Sequence, residues 1–66
     1  MIIEVTQATF LTYDGEKIQI DFKNMLFREP KWKIKELLLD KYANLIPTDP
    51  IVKIINLKYK EYGKEN

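Results

Sequence analysis

The side chains best suited to covalent chemistry are missing from this sequence. It contains no Ser, His or Cys, so a nucleophile activated by a neighbouring imidazole cannot be assembled. A general base would have to be Asp, Glu, Lys or Tyr. The glycines, Gly15 and Gly63, stand far apart, which excludes a glycine-rich phosphate loop. Asp14, Glu16 and Asp21 offer oxygen ligands to a hard cation, but not with the spacing of a binding loop. A polar hairpin tip accounts for them as well. Without thiolate or imidazole the usual metal ligands are absent. The chain is therefore expected to be non-enzymatic, with no catalytic residue, cofactor or metal.

What remains is the chemistry of contact. Lys31-Trp32-Lys33-Ile34-Lys35 interleaves an aromatic ring with three cations. Lys53, Lys58 and Lys60 surround Tyr59, with Tyr62 beyond. Together these six lysines form a candidate nucleic-acid contact, the rings stacking on bases and the ammonium groups meeting phosphates. The competing reading is a solvated helix start, and a strand edge that Lys protects against aggregation. Arg28 is the only Arg, which disfavours base-edge reading; a surface salt bridge is its simpler role. Met25-Leu26-Phe27 either docks a partner or plugs the end of a small core. Trp32, Leu39 and Ala43 recur at i, i+7 and i+11, an apolar line on the far side of a helix that needs only one buried stripe. A spare apolar line rimmed by charge points to contact with another molecule.

These groups are positioned by four expected elements. Residues 2–13 are rich in Ile, Val, Thr, Phe and Tyr, which suit a strand. In residues 16–22, Ile18, Ile20 and Phe22 alternate with Lys17, Gln19 and Asp21, the pattern of a half-buried strand. Asp14-Gly15 between them predicts a hairpin. A two-residue loop sets Leu11 opposite Ile18 and Thr9 opposite Ile20. A three-residue loop sets Phe10 and Ala8 there instead, and the one-residue slip flips the first strand. The two-residue loop is preferred because it hides more branched aliphatic surface, turning Phe10 outward; the other loop turns Leu11 outward. Either way some large apolar side chains stay on the outer face.

The spacing predicts a helix over 30–46, with Pro30 in the first turn and Pro47 ending it. Ile34, Leu37, Leu38, Tyr42 and Leu45 form its core stripe. Residues 51–62 read as a third strand, with Pro50 suited to an edge; Ile55, Leu57 and Tyr59 alternate with Asn56, Lys58 and Lys60. The tail 63–66 is expected to fray. The order β-β-α-β with a crossover helix implies an α+β fold, a three-stranded sheet in order 2-1-3 with one helix on one face.

The chain of 66 residues is 45% hydrophobic and 32% charged, so a single small globular domain over 1–66 is expected. Net charge is +1, too little to imply nucleic acid or an anionic membrane. Its distribution is uneven: through residue 22, Glu4, Asp14, Glu16 and Asp21 stand against Lys17 alone, and the remainder is net basic. Met1-Ile2-Ile3-Glu4 has neither a basic start nor a long apolar run, so no signal peptide is expected. No apolar stretch is long enough for a membrane span, and a cytoplasmic protein is the default expectation.

A domain of this size without disulfide or metal depends on dense packing or self-association. The expected function is a protein-interaction module that forms a homodimer and regulates or inhibits an unidentified partner protein by surface contact, through Phe10, Leu11, Trp32, Leu39 and Ala43. The alternative is nonspecific nucleic-acid binding through Lys31, Lys33, Lys35, Lys53, Lys58 and Lys60. No membrane partner is expected.

Overall fold

The computed structural model describes residues 1–63. It contains β1 (Ile2–Thr12), β2 (Lys17–Phe27), α1 (Lys31–Tyr42) and β3 (Ile51–Tyr62). The sheet order is β2-β1-β3, and β1 runs antiparallel to both neighbours. One helix packs on one face of the sheet, so the α+β, β-β-α-β arrangement expected from the sequence is the one observed. No helix among the described residues is long and apolar enough to cross a membrane. Of the tail expected at 63–66, residues 64–66 lie outside the described residues.

The hairpin closes with the three-residue loop, not the preferred two-residue one. Gly15 N–H donates to Thr12 O at 3.0 Å, and Thr12 N–H donates to Glu16 O at 2.9 Å. Gly15 has φ +93°, a left-handed conformation that a bulged turn requires and glycine adopts without a Cβ penalty. The buried Thr12 hydroxyl accepts Glu16 N–H at 2.9 Å, which fixes both strand ends. Phe10 therefore pairs with Ile18, and Ala8 with Ile20. Phe10 faces the helix and is completely buried; Leu11 is turned to the other side.

The preference for the other register assumed an uninterrupted two-residue alternation along β1. The register instead slips between Val5 and Gln7 against both neighbours. Val5 pairs with Met25 and Gln7 with Asp21, so Thr6 faces Phe22-Lys23-Asn24. Asn24 takes up the irregularity at φ +59°, where Asn is among the better-tolerated non-glycine residues. The slip lets Ile3 and Val5 share a face with Ala8, Phe10 and Thr12, and all five are buried. It also carries β2 past its expected end at residue 22. Met25 and Phe27, expected in a loop, belong to the strand and pack against the core, while Leu26 is exposed.

The helix is shorter than 30–46. Pro30 is its N-cap, extended at ψ 161° with no capping side chain. Beyond Tyr42 the chain turns, with Leu45 N–H donating to Tyr42 O, so Leu45 is exposed rather than part of the stripe. Ile51 N–H donates to Ala43 O at 3.1 Å, which ties the helix end to the start of β3. Ile34 and Leu38 are fully buried, and Tyr42 packs against Phe10 and Phe22 with ring centroids 5.5 and 5.8 Å away, a favourable tilted geometry. Leu39, expected behind the helix, packs against the core, while Leu37 is 37% exposed.

A strand the length of β3 spans about 40 Å and a helix the length of α1 only about 18 Å. The body measures 46 × 17 × 16 Å, long because the strands set its axis. The helix lies nearest β3. The helix-facing side chains of β2, namely Ile18, Ile20, Phe22, Met25 and Phe27, are all only half-buried.

A Cβ built on Gly15 meets no atom within 4 Å, so the cost of substitution there is backbone strain alone. Gly15→Val should lower the unfolding free energy by at least ~1 kcal/mol. A chemical-denaturation midpoint equal to that of the unsubstituted protein would mean the turn is not formed this way.

Candidate interaction surface

The α1–β3 flank gathers four exposed large apolar side chains, Trp32, Leu37, Val52 and Ile55. Lys31, Trp32 and Lys35 from the first turns of α1 meet Ile55, Asn56, Leu57 and Tyr59 of β3 in an open groove of about 410 Å³. Farther along, Lys33, Glu36, Leu37, Leu39, Asp40 and Ala43 meet Ile51 and Val52 in a second groove of about 530 Å³. Trp32 is 64% exposed, Val52 47% and Ile55 41%.

Two bulges put Val52 and Ile55 in solvent. Along β3 the register slips between the partners of Thr9 and Phe10, and again between those of Leu11 and Thr12. Ile55 and Val52 are the extra residues. Bulges at sheet edges re-aim side chains out of the alternation. Ile54, not Ile55, takes the helix-facing place with Ile51, Leu57 and Tyr59, which corrects the expected alternation.

The groove beside Trp32 is also electrostatically defined. Lys31 Nζ donates to the Tyr59 hydroxyl at 2.6 Å and lies 4.9 Å from that ring's centroid. The hydroxyl oxygen stabilises the ammonium form and raises the Lys31 pKa above the ordinary lysine value. Lys33 and Glu36 form an ion pair at 3.5 Å on the second groove's rim, a contact of small energetic weight at this exposure.

Of the contact residues expected from sequence, Trp32 lines one groove, and Leu39 and Ala43 line the other. They flank β3 and do not form a far side of the helix. Phe10 is withdrawn as a contact residue, since it has no exposed surface. Leu11 lies on the opposite face, paired with Lys17 and Lys53, and joins none of the others.

The six lysines do not share one region. Lys31 and Lys35 line the Trp32 groove and Lys33 the second. Lys53, Lys58 and Lys60 pair with Leu11, Gln7 and Glu4, on the sheet face away from the helix. Leu57 and Tyr59 point to the core, so Lys58 and Lys60 must point away from it. The sheet itself separates the two sets. Val52, Ile55 and Leu37 were missed as surface residues. The signal for the first two was the three-residue spacing Ile51–Ile54–Leu57, incompatible with an unbulged strand.

Tyr59→Phe removes the hydroxyl oxygen and leaves the ring. The Lys31 pKa, followed by NMR of its side chain, should fall toward the ordinary lysine value while the fold is unchanged. An unaltered Lys31 titration would mean that the contact is not made in solution. The chain matches no family model, no curated protein and no solved structure.

Proposed function

We propose that the protein is a non-enzymatic interaction module that self-associates and regulates or inhibits a partner protein by surface contact. The observation carrying this reading is the exposed apolar set on the α1–β3 flank, with Trp32 and Ile55 in one groove and Leu37 and Val52 in the next. A Trp in a shallow groove rimmed by charge is the kind of anchor on which protein interfaces concentrate their energy. Large exposed apolar groups gathered on one flank are better explained by contact than by folding, because burial within the domain would have removed them from water. In cells, affinity capture from the native host with nuclease present should recover a protein partner. Trp32→Ala should reduce recovery by about tenfold or more, and Leu26→Ala, at an exposed residue remote from the flank, should leave it unchanged.

Nonspecific nucleic-acid binding is the second reading. It draws on one observation, that Lys31, Lys35, Trp32 and Tyr59 line the same groove. It is weakened by the placement of Lys53, Lys58 and Lys60 on the other face of the sheet. Electrostatic binding is strongest at low salt and falls steeply as counterions compete. The interaction-module reading expects no retardation of single- or double-stranded nucleic acid in a low-salt gel shift. Retardation that fades with added salt, and is lost on Lys31→Glu with Lys35→Glu, would favour the second reading instead.

A further inference from the structure

We infer that β2 is the edge through which the protein self-associates, two copies pairing antiparallel about a twofold axis at Gln19. This deepens the self-associating part of the function proposed above and rests on it.

β2 is an outer strand, and the direction of its free backbone groups follows from the hairpin. Thr12 N–H donates across to Glu16 O, while Tyr13 N–H donates the other way, to Pro50 O. Backbone direction alternates along a strand. With Phe10 paired to Ile18 and Ala8 to Ile20, Ile18 and Ile20 turn their N–H and C=O groups toward β1. Lys17, Gln19 and Asp21 turn theirs outward. The regular part of this edge runs from Glu16, just past the Gly15 turn, to Phe22, just before the Asn24 irregularity, and its midpoint is Gln19.

Side-chain charge selects the same centre. Directly opposed residues in an antiparallel pair share a face, so the axis can pass through a residue but not between two. An axis at Gln19 sets Lys17 opposite the partner's Asp21 and Asp21 opposite the partner's Lys17. An axis at Ile20 sets Lys17 against the partner's Lys23, a like-charge contact. An axis at Ile18 sets Lys17 against the partner's Gln19 and leaves both charges unmatched. Lys17 has no ion-pair partner among the described residues. Asp21 accepts Gln7 Nε2 through Oδ1 at 2.9 Å, which steadies the carboxylate and leaves its second oxygen free.

The helix-facing side adds apolar contact. Pairing at Gln19 sets Ile18 against the partner's Ile20, and both are only half-buried in the single chain. The helix lies nearest β3, so the β2 side of that face is open to a second copy. β3 is a poor alternative edge: it begins after Pro50, is broken by bulges at Val52 and Ile55, and carries Lys53, Lys58 and Lys60, features that protect edges from pairing.

The test is sedimentation equilibrium at micromolar concentration on the full chain and on variants, each checked for folding by circular dichroism. The unsubstituted protein should be a dimer. Gln19→Pro removes only an outward N–H, which an edge strand tolerates, and should yield a folded monomer. Asp21→Lys places like charges opposite each other and should weaken the dimer about tenfold; adding Lys17→Asp restores opposite charges and should recover it. If Gln19→Pro does not fold, the charge pair alone decides. A dimer indifferent to all of these variants overturns the β2 edge while leaving self-association standing. A monomer across the whole concentration range overturns both.

Discussion

The break in the alternation of β1 at Thr6 is the constraint on which the rest of the structure depends. In an unbroken strand Ile3 and Val5 would share a face with Thr9 and Leu11, and Ala8 and Phe10 would lie on the other. The slip between Val5 and Gln7 resets the alternation, so that Ile3, Val5, Ala8, Phe10 and Thr12 all turn toward the helix side. Both neighbours of β1 must accommodate the step. β2 does so with the left-handed Asn24, and β3 by a change of register. The core exists because the central strand presents one continuous apolar face to a helix that contributes little more than Ile34, Leu38 and Tyr42.

A second constraint is the mismatch between a short helix and long strands. One helix of about 18 Å cannot roof strands of about 40 Å, and this one lies toward β3. Both long margins of the apolar face are left incompletely covered. On the β3 margin, bulges push Val52 and Ile55 into the grooves beside α1. On the β2 margin, a row of half-buried side chains borders a backbone edge with outward-turned hydrogen-bonding groups. Incomplete coverage is costly for a small domain standing alone, and it is the feature on which the proposed contacts rest. The two margins lie along opposite edges of the sheet, so the proposed self-association through β2 leaves the α1–β3 grooves open.

Much of the architecture was legible in the sequence. The strand-turn-strand pattern around Asp14-Gly15, the helix over Ile34–Tyr42 and the strand after Pro50 followed from periodicity and turn chemistry, and chain connectivity then led to the 2-1-3 order. What escaped were the places where periodicity breaks. The hairpin register was misjudged because Ile3 and Val5 were assumed to share one phase with Leu11, and only a bulge reconciles them with Phe10. The continuation of β2 through Met25 and Phe27 was hidden by the same irregularity, since Lys23-Asn24 reads as a loop. Helix length was overestimated because the apolar spacing continues to Leu45, while the chain has to turn back earlier for Ile51 to reach Ala43 O. At the candidate site, Leu39 of the expected surplus line packs against the core, but Trp32 was visible as exposed surface. Its partners on β3 were not, because a bulged residue has no fixed face until the pairing is known.

The register of the hairpin decides which side chains of β1 are core and which are surface. Cross-strand nuclear Overhauser effects in the isotope-labelled protein read that register directly. The account predicts backbone contacts between Phe10 and Ile18 and between Ala8 and Ile20, with Val5 opposite Met25 beyond the slip. Contacts of Leu11 with Ile18 and of Thr9 with Ile20 would contradict it, since Phe10 would then face away from the helix and Leu11 toward it.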